Sequence, residues 1–181
     1  VFLTLFIAVA ISLLVGITVH EFSHSMVAHR LGDNTSRRLG RMSLNPKVHL
    51  DPMGTMMVLL VGFGWGKPVP VNPSRLRGGR YGEAVVSAAG PISNLILAFL
   101  FAFPFRLGLV DTPLTMFPPS ILEPILLIAY ILYVGLTLNL VLAVFNLLPF
   151  APLDGSSLMA GVVPRNWLYI VNKVQMMGPV I

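Results

Sequence analysis

Residues 2 to 31 form an apolar run long enough to cross a bilayer, and inside it, in "LLVGITVHEFSHSMVAHRLG", stand two histidines and a glutamate. A bilayer core takes about 20 consecutive apolar residues in a helix, and a chain in hydrocarbon must satisfy its own backbone polar groups, so this run has to be helical. An ionisable side chain at the centre of such a helix costs roughly 2.5–3.5 kcal/mol on insertion scales. The whole chain holds only three Glu and four His, yet one Glu falls between two His here. An intramembrane cluster of that kind marks a functional site.

Two more segments are long enough to span, 81–105 and 122–148. The chain is 55% hydrophobic and 10% charged, with a mean hydropathy of +0.82, which excludes an ordinary soluble domain of this size. The fold expected is therefore an all-α polytopic membrane protein, a single domain over 1–181 with three long transmembrane helices at its core. A shorter apolar stretch, 53–66, carries four glycines and reads as a re-entrant or short β-type loop, a backbone tolerated in a membrane only where protein or water satisfies it. Short strands such as Arg37 to Leu44 could pair across the turn-rich connection between the first two spans. The last residues, "WLYIVNKVQMMGPVI", are becoming apolar where the sequence stops, so a partial further helix is expected there. No Met opens the chain and no basic start or cleavage site marks a signal peptide; the expectation is a piece of a longer membrane protein.

Nine of the twelve Lys and Arg lie from Arg30 to Arg80. Such an excess between spans places that connection on the cytoplasmic side, and the net charge of +5 is accounted for without nucleic acid. His20 stands ten residues before Arg30, about 15 Å of helix rise, within the membrane but toward the cytoplasm. The end of the third span, around Pro149 to Asp154, returns to the same side. With no cysteine in the chain, disulfides and thiolate metal sites are excluded, and any metal must be held by His, Asp, Glu or backbone.

"HEFSH" is an HExxH pattern. Residues four apart on a helix project about 40° from one another, so His20 and His24 can face one ion with Glu21 beside them. Zinc held by three protein ligands keeps a fourth position for water and lowers its pKa to about 7, and Glu21 could serve as the general base. Several residues compete to be the third ligand. His29 lies about 180° around the helix from His20, His49 would have to fold back from its loop, and Asp154 follows a Pro-broken helix end. On spacing alone Asp154 could equally be an ordinary turn or N-cap aspartate.

Together, "HEFSH", "AAGPISN" at 88–94 and "NLLPFAPLDG" at 146–155 resemble the site-2 protease family of intramembrane zinc metalloproteases, peptidase family M50. "SLNPKVHLDPMGTM" and "GWGKPVPVNP" are similar to its compact prokaryotic branch, without a PDZ or CBS domain in this chain. That resemblance implies a metalloendopeptidase cleaving within or near transmembrane segments, with His20, His24 and Asp154 as ligands to one Zn2+ per chain and Glu21 as catalytic acid/base. It implies a substrate or oxyanion role for Asn94, Asn146 and Pro149, although an Asn in hydrocarbon can also simply join helices. The partners implied are membrane protein substrates and the lipid bilayer, with no nucleic acid and a homo-oligomer left open. The location implied is a prokaryotic cell membrane, multi-pass, active site toward the cytoplasm. The competing readings are a membrane metal-ion transporter and a catalytically inactive relative that binds membrane segments.

Overall fold

The computed structural model describes residues 2–61, 66–110 and 124–177. Three long helices dominate: α1 (Phe2–Arg30), α4 (Arg80–Arg106) and α5 (Pro124–Asn146). All three are long and apolar enough to cross a membrane, and they coincide with the spans expected at 2–31, 81–105 and 122–148, the start of the third lying outside the described residues. Between and after them lie four shorter helices: α2 (Thr35–Arg38), α3 (Pro52–Val61), α6 (Asp154–Val162) and α7 (Leu168–Met177). No strand occurs among the described residues.

The packing is that of a bilayer protein. The largest fully buried side chains are His49, Asn94 and Asn139, while Phe99, Leu100 and Val144 are exposed. Lipid tails are as apolar as leucine, so helices gain little by hiding large apolar groups from them and associate through small and polar contacts instead. Accordingly α4 turns Gly82, Ala84, Ser87, Gly90, Ser93 and Asn94 inward and packs on α1, α5 and α6. Glu83 in its first turn and Arg106 in its last match the helix dipole.

The connection from α1 to α4 is clamped by two buried charged residues. The Asp33 carboxylate accepts N–H bonds from Thr35 at 2.9 Å and Asn72 at 2.7 Å, and the Thr35 hydroxyl at 2.5 Å. The Arg41 guanidinium donates to the carbonyls of Lys67 at 2.6 Å and Pro68 at 3.1 Å. Together they hold the extended segment 67–72 across the end of the bundle, and Val71 within it packs on a small cluster of Ala28, Leu76 and Val86.

One expectation for this region needs revision. Arg37 to Leu44 is not a strand: Thr35–Arg38 is a helical turn followed by bends. Asp33 accepts the Thr35 N–H in an i to i+2 side-chain turn, the kind of bond that favours a turn over an extended ladder. The stretch 53–66 is helical as far as Val61, with 62–65 outside the described residues. Leu50, just before it, and Gly66, its last residue, form an antiparallel bridge, so the chain leaves and returns at one point. The further C-terminal helix is present as α7, and 178–181 lie outside the described residues.

Candidate metal centre

His20 and His24 lie one turn apart on α1, Asp154 is the first residue of α6, and the fold brings the three together. His20 Nε2 is 3.0 Å from His24 Nε2, Asp154 Oδ2 is 3.0 Å from His20 Nε2, and it is 3.2 Å from His24 Nε2. Four ligands at about 2.0–2.1 Å around a tetrahedral zinc stand about 3.3 Å apart, so this triangle is one face of such a tetrahedron. Among the described residues this is the one group of three His, Cys, Asp or Glu side chains with that convergence.

Hydrogen bonds on the far side of each ring decide which chemistry the triangle offers. His24 Nδ1 lies 2.7 Å from the Val86 carbonyl, which can only accept, so Nδ1 carries the proton. His20 Nδ1 lies 2.6 Å from Asn94 Oδ1, again an acceptor. In the neutral imidazole both Nε2 atoms are then bare lone pairs. Asp154 brings its carboxylate oxygen Oδ2 to both rings. Two lone pairs and a carboxylate oxygen within 3.2 Å of one another, with no hydrogen between them, call for a cation. The residues present fit a divalent metal ion.

Room for that ion comes from Gly90 on α4. A Cβ there would stand 2.5 Å from His20 Cε1 and 2.6 Å from His20 Nε2, and closer still to His24 Nε2. Any side chain at Gly90 would fill the space the three donors enclose. The "AAGP" run at 88–91 holds no chemistry-bearing side-chain atom that would signal this. Gly155 plays a comparable part beside Asp154, since a Cβ there would strike the Leu147 carbonyl. The link from α5 therefore folds tightly over the start of α6 and aims Asp154 at α1.

Glu21 points into a cavity of about 180 Å3 shared with His24 and Asp154 and walled by Pro68 and Val69. Its Oε2 accepts the Val69 N–H at 2.9 Å. Pro68 and Pro70 have no N–H, so Val69 supplies the one backbone donor of that tripeptide, and it goes to Glu21.

The remaining candidates fall elsewhere. Asn94 is fully buried and holds His20 instead of facing the cavity, where a substrate or oxyanion contact was expected. Asn146 ends α5 and donates to the Leu142 carbonyl of its own helix at 2.9 Å; neither it nor Pro149 lines the cavity. His29 contacts Asn34 and Arg37. His49 is buried with its Nε2 on the Ser43 carbonyl, so neither joins the triangle. Asn139 of α5, which sequence reading passed over, is fully buried and bonded to Asn94.

Comparisons with known proteins point the same way. A Bacillus subtilis protein, YwhC, designated a candidate zinc metalloprotease, is 40% identical over 163 residues, 85% of this chain and 68% of its own length. Rip2 of Mycobacterium tuberculosis, under the same designation, is 32% identical over 160 residues, 83% of this chain and 55% of its own. The chain thus spans about two thirds of the one relative and about half of the other. No solved structure matches it. The family model for peptidase family M50 matches residues 8–177: the chain belongs to peptidase family M50.

Proposed function

We propose that the chain is the catalytic core of a zinc-dependent intramembrane endopeptidase, cutting peptide bonds within or near transmembrane segments of other membrane proteins. The observation that carries this reading is that His20, His24 and Asp154 converge and that His24 and Asp154 share one small cavity with Glu21, built partly from a helix long enough to span a bilayer. The concentration of Lys and Arg from Arg30 to Arg80 supports a multi-pass cell-membrane protein with this cavity toward the cytoplasm.

His20, His24 and Asp154 would hold one zinc ion, which supplies the Lewis acidity that makes a water nucleophilic near neutral pH. Glu21 then takes the water's proton as oxygen adds to the scissile carbonyl carbon, and hands it to the nitrogen as the C–N bond breaks. With Oε2 held by Val69, its other oxygen is left to face the water. A transmembrane helix hides its peptide bonds in its own hydrogen bonds, so the substrate must be locally unwound to reach these groups.

The test measures zinc content and cleavage of a transmembrane peptide in the same purified, detergent-solubilised sample. Wild type should carry about one zinc per chain and cut; Glu21→Gln should keep zinc and not cut; Asp154→Ala should lose zinc. A wild type that binds no metal would overturn the reading. A Glu21→Gln protein that still cuts at the wild-type rate would remove Glu21 from the mechanism, and zinc bound but carried across vesicles without cleavage would make the chain a transporter.

A further inference from the structure

The metal ligands touch three helices through one hydrogen-bonded line that begins at His20. His20 Nδ1 donates to Asn94 Oδ1 at 2.6 Å. Asn94 Nδ2 donates to the Gly16 carbonyl at 3.2 Å and to Asn139 Oδ1 at 2.8 Å, and Asn139 Nδ2 donates to the Gly135 carbonyl at 2.8 Å. From Asn94 the line branches, and both branches stop at backbone carbonyls, which can only accept. The Gly135 carbonyl requires the nitrogen of Asn139, so the oxygen of Asn139 faces Asn94. The Gly16 carbonyl and that oxygen both require the nitrogen of Asn94, so the oxygen of Asn94 faces His20. A flipped amide at either residue would set oxygen against oxygen in a place with no water to relieve it, since both are fully buried. Direction therefore propagates from α5 through α4 to α1.

We propose that Asn94 and Asn139 are positioning residues for the metal centre: as a directional relay, they fix His20 as the Nδ1–H tautomer and aim its bare Nε2 at Asp154 and His24. His24 reaches the same state without a side chain, through the Val86 carbonyl. The two imidazoles are thus oriented by independent means, one by backbone of α4 and one by a side-chain line that runs on into α5. Partners on the far ring nitrogen of a metal-bound His fix its orientation and raise its affinity for metal. The inference rests on the reading of His20 as a metal ligand.

The experiment uses the detergent-solubilised chain with 15N-labelled histidine. In metal-free wild type, the nitrogen shifts of His20 should show a protonated Nδ1 and a bare Nε2; the opposite tautomer overturns the relay with no variant needed. Zinc affinity is then measured by chelator competition. Asn94→Leu, close in volume and without an acceptor, should bind zinc about 10- to 100-fold more weakly and lose the Nδ1–H preference at His20, while His24 keeps its own and certifies the fold. Asn94→Asp keeps an acceptor for His20 and sets its second oxygen against the Gly16 carbonyl and Asn139 Oδ1; because zinc affinity follows the His20 contact, it should still bind zinc more tightly than Asn94→Leu. A purely helix-joining Asn94 demands the reverse order, because Asp buries a charge where Leu does not. Asn94→Leu binding zinc as wild type does, or more tightly than Asn94→Asp, sinks the proposal. A wild type with His20 in the expected tautomer but no zinc binding would instead fail the metal reading of the site.

Discussion

Gly90 of α4 lies against the imidazole of His20 so closely that a Cβ on it would stand 2.6 Å from Nε2. The atom a metal ligand must present and the hydrogen of a glycine share one small space. A single methyl group there competes with the ion more than with the fold. Overpacking a tight site costs about 1–3 kcal/mol, so Gly90→Ala should weaken zinc binding by roughly 5- to 150-fold. Competition with a graded series of chelators measures it, with helicity by circular dichroism showing that the bundle survives.

Gly155 tests the other side of the centre. Ala at this position would push against the Leu147 carbonyl and move the start of α6, with Asp154 on it, away from α1. Gly155→Ala should lower zinc affinity while all three donors remain, and a cobalt-loaded sample should show an altered ligand-field spectrum. A spectrum identical to wild type would mean that the α5–α6 link yields without moving Asp154.

The Val69 N–H on Glu21 is a charge-assisted hydrogen bond, worth about 1.5–3 kcal/mol. Val69→Pro deletes the donor and leaves every zinc donor in place, so kcat should fall by roughly 10- to 100-fold with zinc content unchanged. Val69→Ala keeps the N–H and should retain most activity. Equal losses in the two variants would assign the effect to the side chain instead.

Stability should depend on pH through Asp33. Burial opposes its ionisation, but the N–H of Asn72, the hydroxyl and N–H of Thr35 and the nearby Arg75 outweigh that and hold its carboxyl below the usual range. A depressed carboxyl stabilises the folded state above its unfolded value of about 3.9, and that stabilisation disappears as pH falls through the lower, folded value. Thermal unfolding of wild type should therefore show a midpoint that drops below about pH 4. Asp33→Ala should unfold more easily at neutral pH, by about 1.5–3 kcal/mol, and lose part of that acid dependence.

Much of this arrangement is legible in the sequence for a physical reason. Span length is a property of composition alone, and "HEFSH" encodes its geometry because i and i+4 share a helix face whatever surrounds them. Asp154 was harder, since only folding brings it to α1 and an aspartate after Pro152 could as well have been a plain turn. What escaped were contributions with no side-chain signature. Val69 acts through a backbone N–H that eighteen other residue types also carry, and Gly90 acts by what it lacks. The resemblance implied a substrate or oxyanion role for Asn94, with helix joining as the alternative; its direction depends on Asn139, 45 positions away. Asn146 was given the same role by the resemblance; its Nδ2 donates to the Leu142 carbonyl of its own helix.

The donor set is divided between the two ends of the chain: His24 and Asp154 are 130 residues apart. At about 5–20 residues per second, a ribosome needs on the order of ten seconds between making one and making the other. Throughout that interval the first helix can already sit in the bilayer with two donors and a base, but no third ligand to close the set. A growing chain thus holds an open donor set, which closes only when α6 has been made and folded back. On the function proposed above, assembly order leaves the half-built chain unable to hydrolyse its neighbours.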